Sequence, residues 1–163
     1  MVSVRQQLVG LMLWLGVVFV AAALGALASV QAGSFYAALQ RPSWAPPGWL
    51  FGPVWTLLYT MMGFAAWLVW RRLGLRAGRL VLAVFLLQLF FNGLWSWLFF
   101  AWSLGVWAFV DIVLLLGFII ANLVLFWRVS VWAGALLLPY LLWVLFAAAL
   151  NFSVWQLNPQ LLG

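Results

Sequence analysis

Cysteine, histidine and lysine are all absent from this sequence, and Asp111 is its one acidic residue. Without Cys there is no disulfide framework and no thiol nucleophile, and without Cys and His there is no ordinary metal site. A lone carboxylate side chain also rules out paired-carboxylate acid–base chemistry. Hydrolase and metalloenzyme functions therefore lack the residues they need. Charge is scarce too: 5% of the 163 residues are charged, 70% are hydrophobic and mean hydropathy is +1.24. That balance excludes a water-soluble globular domain and predicts a polytopic membrane protein. The net charge of +6 rests on arginine, and in such a protein it reports topology rather than a nucleic-acid partner.

What the chain does have is apolar length and tryptophan. Five runs, Leu8–Ser29, Gly48–Trp70, Leu80–Ala101, Val106–Trp127 and Trp132–Val154, each match the roughly 20 helical residues that cross a bilayer. The last two connections are short, so the third, fourth and fifth spans should be antiparallel neighbours. Arg5, the first run and Ala26-Leu27-Ala28 imitate a signal peptide. The run is about twice the usual h-region, which favours a retained helix over that alternative.

The arginines set an orientation. With the N-terminus on one side, Arg5, Arg71, Arg72, Arg76, Arg79 and Arg128 share it, and Arg41 alone lies opposite. The positive-inside rule makes the arginine-rich side cytoplasmic, with the first loop and the C-terminus outside. Arginine-only basicity in a short chain suggests a prokaryotic plasma membrane.

Tryptophans then sort by depth. Trp14, Trp67, Trp70, Trp127 and Trp132 suit an interfacial belt on the cytoplasmic side, and Trp44, Trp49, Trp102, Trp107 and Trp155 suit one opposite. Trp55, Trp95 and Trp143 lie roughly 9–17 Å inside the outer ends of their helices, too deep for a belt. Asn92 is roughly 13 Å deep and Asp111 roughly 7 Å by the same rise. Helical spacing gathers Trp55, Tyr59, Met62 and Gly63 on one face, Gln88, Asn92, Trp95, Ser96 and Phe99 on a second, Trp107 and Asp111 on a third, and Tyr140, Trp143, Ala147 and Asn151 on a fourth. Ordinary helix packing with amides as interhelical glue explains any one stripe. Several aromatic and amide stripes in the same half favour a cavity for a planar hydrophobic guest held by stacking.

Asp111 has no Lys, His or Glu to relay protons with, so a structural role is expected, with Arg41 as its partner on that side. Ala21, Gly25 and Ser29, beside Ala22 and Ala26, form a small-residue face on the first span that fits a homodimer seam or internal packing.

The segment Arg41–Gly63, R-P-S-W-A-P-P-G-W-L-F-G-P-V-W-T-L-L-Y-T-M-M-G, begins as a proline-stiffened loop and runs without a charge into a membrane-length helix. Its part from Trp44 onward resembles the signature of the TspO/MBR family of tryptophan-rich sensory and translocator proteins. The likeness continues in F-Y-A-A-L-Q-R-P at 35–42, Q-L-F-F-N-G-L-W-S at 88–96 and W-A-G-A-L-L-L-P-Y-L-L-W-V-L-F-A-A-A-L-N at 132–151. It covers the first loop and spans two to five. The resemblance implies an all-α membrane protein, a single domain over 1–163, with a five-transmembrane-helix bundle whose long first loop caps an aromatic pocket. It implies a sensor or carrier that binds tetrapyrroles such as haem and protoporphyrin IX, and other flat hydrophobic ligands. The pocket positions that carry over are Tyr36, Pro46, Trp55, Tyr59, Asn92, Trp95, Trp143 and Ala147.

Trp55 and Trp143 match positions linked in the family to light-dependent porphyrin breakdown, so they are the catalytic candidates under an enzymatic alternative. A non-catalytic membrane scaffold is the other alternative. No cofactor is required under any of these readings, with porphyrin or haem entering as ligand. Haem would find no His or Cys as axial ligand, and Met61, Met62 or a Tyr would be weak substitutes. Stacking should therefore dominate. Membrane lipid is the remaining expected partner. Nothing basic follows Tyr140, so the sterol pattern of the animal members is missing. Phe90, Phe91, Trp95 and Trp97 make the third span bulky where relatives dimerise, which leaves the first span as the substitute seam.

Overall fold

The computed structural model describes residues 3–163, and every regular element among them is helical. The elements that position the site are α1 (Val4–Ala28), α2 (Ala32–Ala38), α3 (Phe51–Ser96), α4 (Gly105–Val129), α5 (Val131–Ala135), α6 (Leu138–Leu157) and α7 (Pro159–Leu162). Four segments of the described residues are long and apolar enough to span a membrane: Val4–Ala28, Gly48–Ala101, Gly105–Val129 and Val131–Leu157.

The second and third expected spans thus form one helical element, and its interior holds a single break. Gly74 takes φ 67° and ψ −179°, a left-handed conformation that glycine adopts without a Cβ penalty. A straight helix of 46 residues would reach roughly 70 Å, more than twice a bilayer core. Instead Tyr59 meets Asn92 and Met62 meets Gln88. These contacts close inward toward Gly74, so residues 51–73 and 75–96 fold back on each other as a helical hairpin.

Helix α1 starts with a reciprocal cap: the Ser3 N–H donates to Gln6 Oε1 at 2.9 Å and the Gln6 N–H to Ser3 Oγ at 3.3 Å. This satisfies two donors that an uncapped helix leaves open. Its buried positions, Gly10, Trp14, Val18, Gly25 and Ala28, recur at helical spacing. They pack on both arms of α3. Gly10 lies against the Trp70 ring, and a Cβ at Gly63 would come within 2.7 Å of Leu15. Gly25 sits opposite Ser96 of the second arm. The small face proposed as a dimer seam therefore turns inward at Gly25, with Ala21 and Ala22 packed on the core.

Residues 97–101 form a π-helical turn at the end of α3, after which Ser103 takes φ 53° and the chain reverses into α4. The expected fifth span is divided. Pro139 stands at the start of α6, where its missing N–H is harmless and its ring prevents an unbroken helix from α5.

One core cluster runs along the bundle through Val18, Met62, Phe85, Ile119 and Tyr140. A smaller one, with Leu39, Phe99, Ala108, Leu150, Val154 and Leu162, lies at the loop end. Trp14 belongs to the core, edge-on to Phe85 at 6.0 Å between ring centroids, and not to an interfacial belt. Trp44, Trp49, Trp102, Trp107, Trp127 and Trp132 are exposed, as belt residues should be.

Candidate functional site

The first loop is built on Tyr36. Its hydroxyl donates to the Pro46 carbonyl at 2.9 Å, which closes the loop on itself, and its ring meets Phe51 edge-on at 5.4 Å. The Arg41 guanidinium lies over the same ring, 4.7 Å from its centroid. Burial raises the Tyr36 hydroxyl above the ordinary tyrosine range, and Arg41 offsets part of that rise. Pro42, Pro46 and Pro47 stiffen the segment between, lowering the entropy lost when it is ordered.

From the loop the aromatic contacts descend. Trp44 packs on Phe146 at 5.7 Å, and Trp143 packs on Phe146 at 5.5 Å and on Phe51 at 5.9 Å. The Trp143 indole N–H is buried and has no acceptor. One turn below Phe51, Trp55 contacts Tyr59 at 5.7 Å and Tyr140 at 6.2 Å. There the polar floor begins: Tyr59 donates its hydroxyl to Asn92 Oδ1, and Asn92 Nδ2 donates to the Tyr140 hydroxyl at 2.8 Å. The two arms of α3 and helix α6 are thereby tied through one buried amide.

Trp95 stands apart from this group. It stacks on Phe99 at 5.1 Å and donates its indole N–H to Asn151 Oδ1 at 2.9 Å, while Asn151 Nδ2 donates to the Gly105 carbonyl at 3.2 Å. Ala147 is partly buried against the main core. The structure thus brings Tyr36, Pro46 and Trp143 into one aromatic layer and Trp55, Tyr59 and Asn92 into the next, with Phe51 between them. Phe51, Phe146 and Tyr140 share these walls. Tyr140 lies on a stripe visible in the sequence, whereas Phe51 and Phe146 are ordinary apolar residues until the loop is seen to rest on them.

The expected Arg41–Asp111 pair does not form. Arg41 is engaged by Tyr36, and both Asp111 carboxyl oxygens are buried without a hydrogen-bond partner. Asp111 belongs to the inward stripe of α4 with Ala108, Ile112 and Leu115, which carries it away from the loop. No group of metal-ligating side chains occurs among the described residues.

Under the loop these rings pack on one another. An open groove lies elsewhere, beside Arg5 and Trp70.

Comparison with known proteins agrees on the ancestry of this arrangement. Residues 13–156 match the model of the TspO/MBR family. The human protein named Translocator protein is 43% identical over 126 residues, which cover 76% of this chain and 75% of that one. Tryptophan-rich protein TspO of Chlorobaculum tepidum is 46% identical over 129 residues, covering 77% and 80%. The protein of that name from Archaeoglobus fulgidus is 43% identical over 148 residues, covering 85% and 95%.

Proposed function

This chain belongs to the TspO/MBR family of integral membrane proteins, and from that premise we propose that it binds tetrapyrroles and other flat hydrophobic molecules under its first loop, as a sensor or carrier. The observation that carries this reading is the Trp143 indole N–H, a buried donor without an acceptor where the loop meets α6. Around it Phe51 and Phe146 supply flat apolar faces, with Trp55 against Tyr140 in the layer below, the chemistry that stacks a planar ring. Arg41, the one base at that rim, stands ready to pair with a carboxylate-bearing edge of the guest.

Iron is incidental to such binding. Met62 is fully buried and its sulfur is already contacted by Gln88 Nε2 at 3.6 Å, so it offers no axial ligand. The hairpin at Gly74 lets α3 cross the membrane twice, for five crossings in all. The arginine-rich end then faces the cytoplasm and the loop faces outward, in a prokaryotic plasma membrane.

The test is titration of the purified protein in detergent with protoporphyrin IX, followed by tryptophan quenching. Saturable binding should weaken by about tenfold in Trp55→Phe and in Asn92→Ala, the scale of one lost buried contact. Equal quenching in all three proteins would mean that the porphyrin binds elsewhere.

A further inference from the structure

We propose that the turn at residues 158–162 is a latch on the first loop, and that Asn158 is the positioning residue that sets how fast ligand enters and leaves. The ligand part rests on the site reading above; the latch itself does not.

Asn158 reaches the loop with both ends of its side-chain amide. Its Oδ1 accepts the Gln40 N–H at 2.9 Å, and its Nδ2 donates to the Gln40 carbonyl at 2.8 Å. A side chain thus stands in for the edge of a neighbouring strand and satisfies both backbone groups of one loop residue. Asn158 is 6% exposed while Gln40 lies at the surface, so those bonds are partly shielded from water.

The same residue is fixed from its own side. Its backbone N–H donates to the Val154 and Trp155 carbonyls at the end of α6, and its carbonyl accepts the N–H groups of Leu161 and Leu162. Leu162 is fully buried, in one cluster with Leu39 of the loop. The turn also presses on α4: a Cβ at Gly105 would come within 2.8 Å of the Leu162 side chain and 2.9 Å of its carbonyl oxygen. Among the other ties of the loop, Tyr36 to Pro46 and Trp44 to Phe146 are an internal bond and an edge contact. Neither fastens the loop at Gln40.

Asn158 does not belong to the aromatic layer, so it acts on the path rather than on the bound state. Removing it should raise the entry and exit rates together and leave Kd nearly constant. A merely structural role would instead weaken binding with no matched rise in the entry rate.

The experiment has two arms, both on the full chain in detergent. In Asn158→Ala, hydrogen–deuterium exchange at the Gln40 amide should speed up about tenfold, the scale expected for two lost hydrogen bonds. Protoporphyrin IX on- and off-rates by stopped-flow should rise by a similar factor. In the second arm Gln40→Cys is combined with Asn158→Cys, the only two thiols in a cysteine-free chain. Oxidised, this protein should release porphyrin more slowly than wild type, and reduced it should match Asn158→Ala.

Unchanged exchange at Gln40 in Asn158→Ala overturns the latch whatever the porphyrin does. Identical release before and after reduction of the disulfide overturns it independently, including when Asn158→Ala fails to fold. Absence of porphyrin binding in wild type overturns the site reading, and the latch is then decided by exchange alone.

Discussion

Asn92 joins Tyr59 to Tyr140, accepting from one hydroxyl and donating to the other. Asn92 is 5% exposed, so its loss leaves polar groups with no water to turn to. Asn92→Leu should lower stability by about 1–3 kcal/mol, the range for orphaning buried hydrogen-bonding groups. Thermal unfolding in detergent measures it. Tyr59→Phe on the Asn92→Leu background should add less than on wild type, since the shared bond is already gone. Additive losses would show that the two side chains act separately.

Gly10 and Trp70 set how closely α1 approaches α3. A side chain at Gly10 would overlap the Trp70 ring, so Gly10→Val should destabilise by about 1–3 kcal/mol through overpacking. Trp70→Ala opens the space it needs, and the double variant should be more stable than Gly10→Val alone. A further loss in the double variant would place the strain elsewhere.

Orientation can be read with single cysteines on the cysteine-free background. A membrane-impermeant maleimide applied to intact cells should label Ser43→Cys in the loop and spare Ala77→Cys beside the arginines at the bend. The opposite pattern would invert the assigned topology.

Stacking without iron ligation predicts that protoporphyrin IX and haem bind within a few-fold of each other. Competition titration in detergent measures the ratio. Haem binding tighter by about a hundredfold would require an axial ligand, and the site would have to be redrawn.

Light separates binding from chemistry. Illuminated with protoporphyrin IX in air, the wild-type protein should lose porphyrin absorbance faster than Trp55→Phe combined with Trp143→Phe if the two tryptophans carry the chemistry. Bleaching that persists in Trp55→Phe combined with Trp143→Phe is photochemistry of the porphyrin itself, and it would leave the protein a binder.

Much of this arrangement was legible in the residues because helical spacing is local. The Trp55–Tyr59 face and the Asn92 position follow from three- and four-residue steps, and both lie where those steps put them. Helix ends were less legible. Gly74 and Pro139 are visible as breakers, but the hairpin and the divided last span depend on how long a helix the bundle accommodates. Long-range polar partners were not legible at all. Arg41 and Asp111 were matched by charge and side, yet the guanidinium found an aromatic face and the carboxyl lies on an inward stripe. Trp14 looked interfacial by depth alone, and only the fit of α1 to the hairpin shows that it faces the core. Asn158 drew no notice in the sequence, because an amide near a helix end is commonplace until a loop backbone is seen against it.

The bonds between Asn158 and Gln40 join residues 118 positions apart, and that separation orders events during synthesis. Chains emerge N-terminus first, so the loop and the first arm of α3 are made long before the residue that fastens them. Until Asn158 arrives, the aromatic layer has its walls but no closed roof. Fastening the loop is a late step of maturation, and a nascent chain stalled before Asn158 emerges would leave the loop over the aromatic layer without that tie.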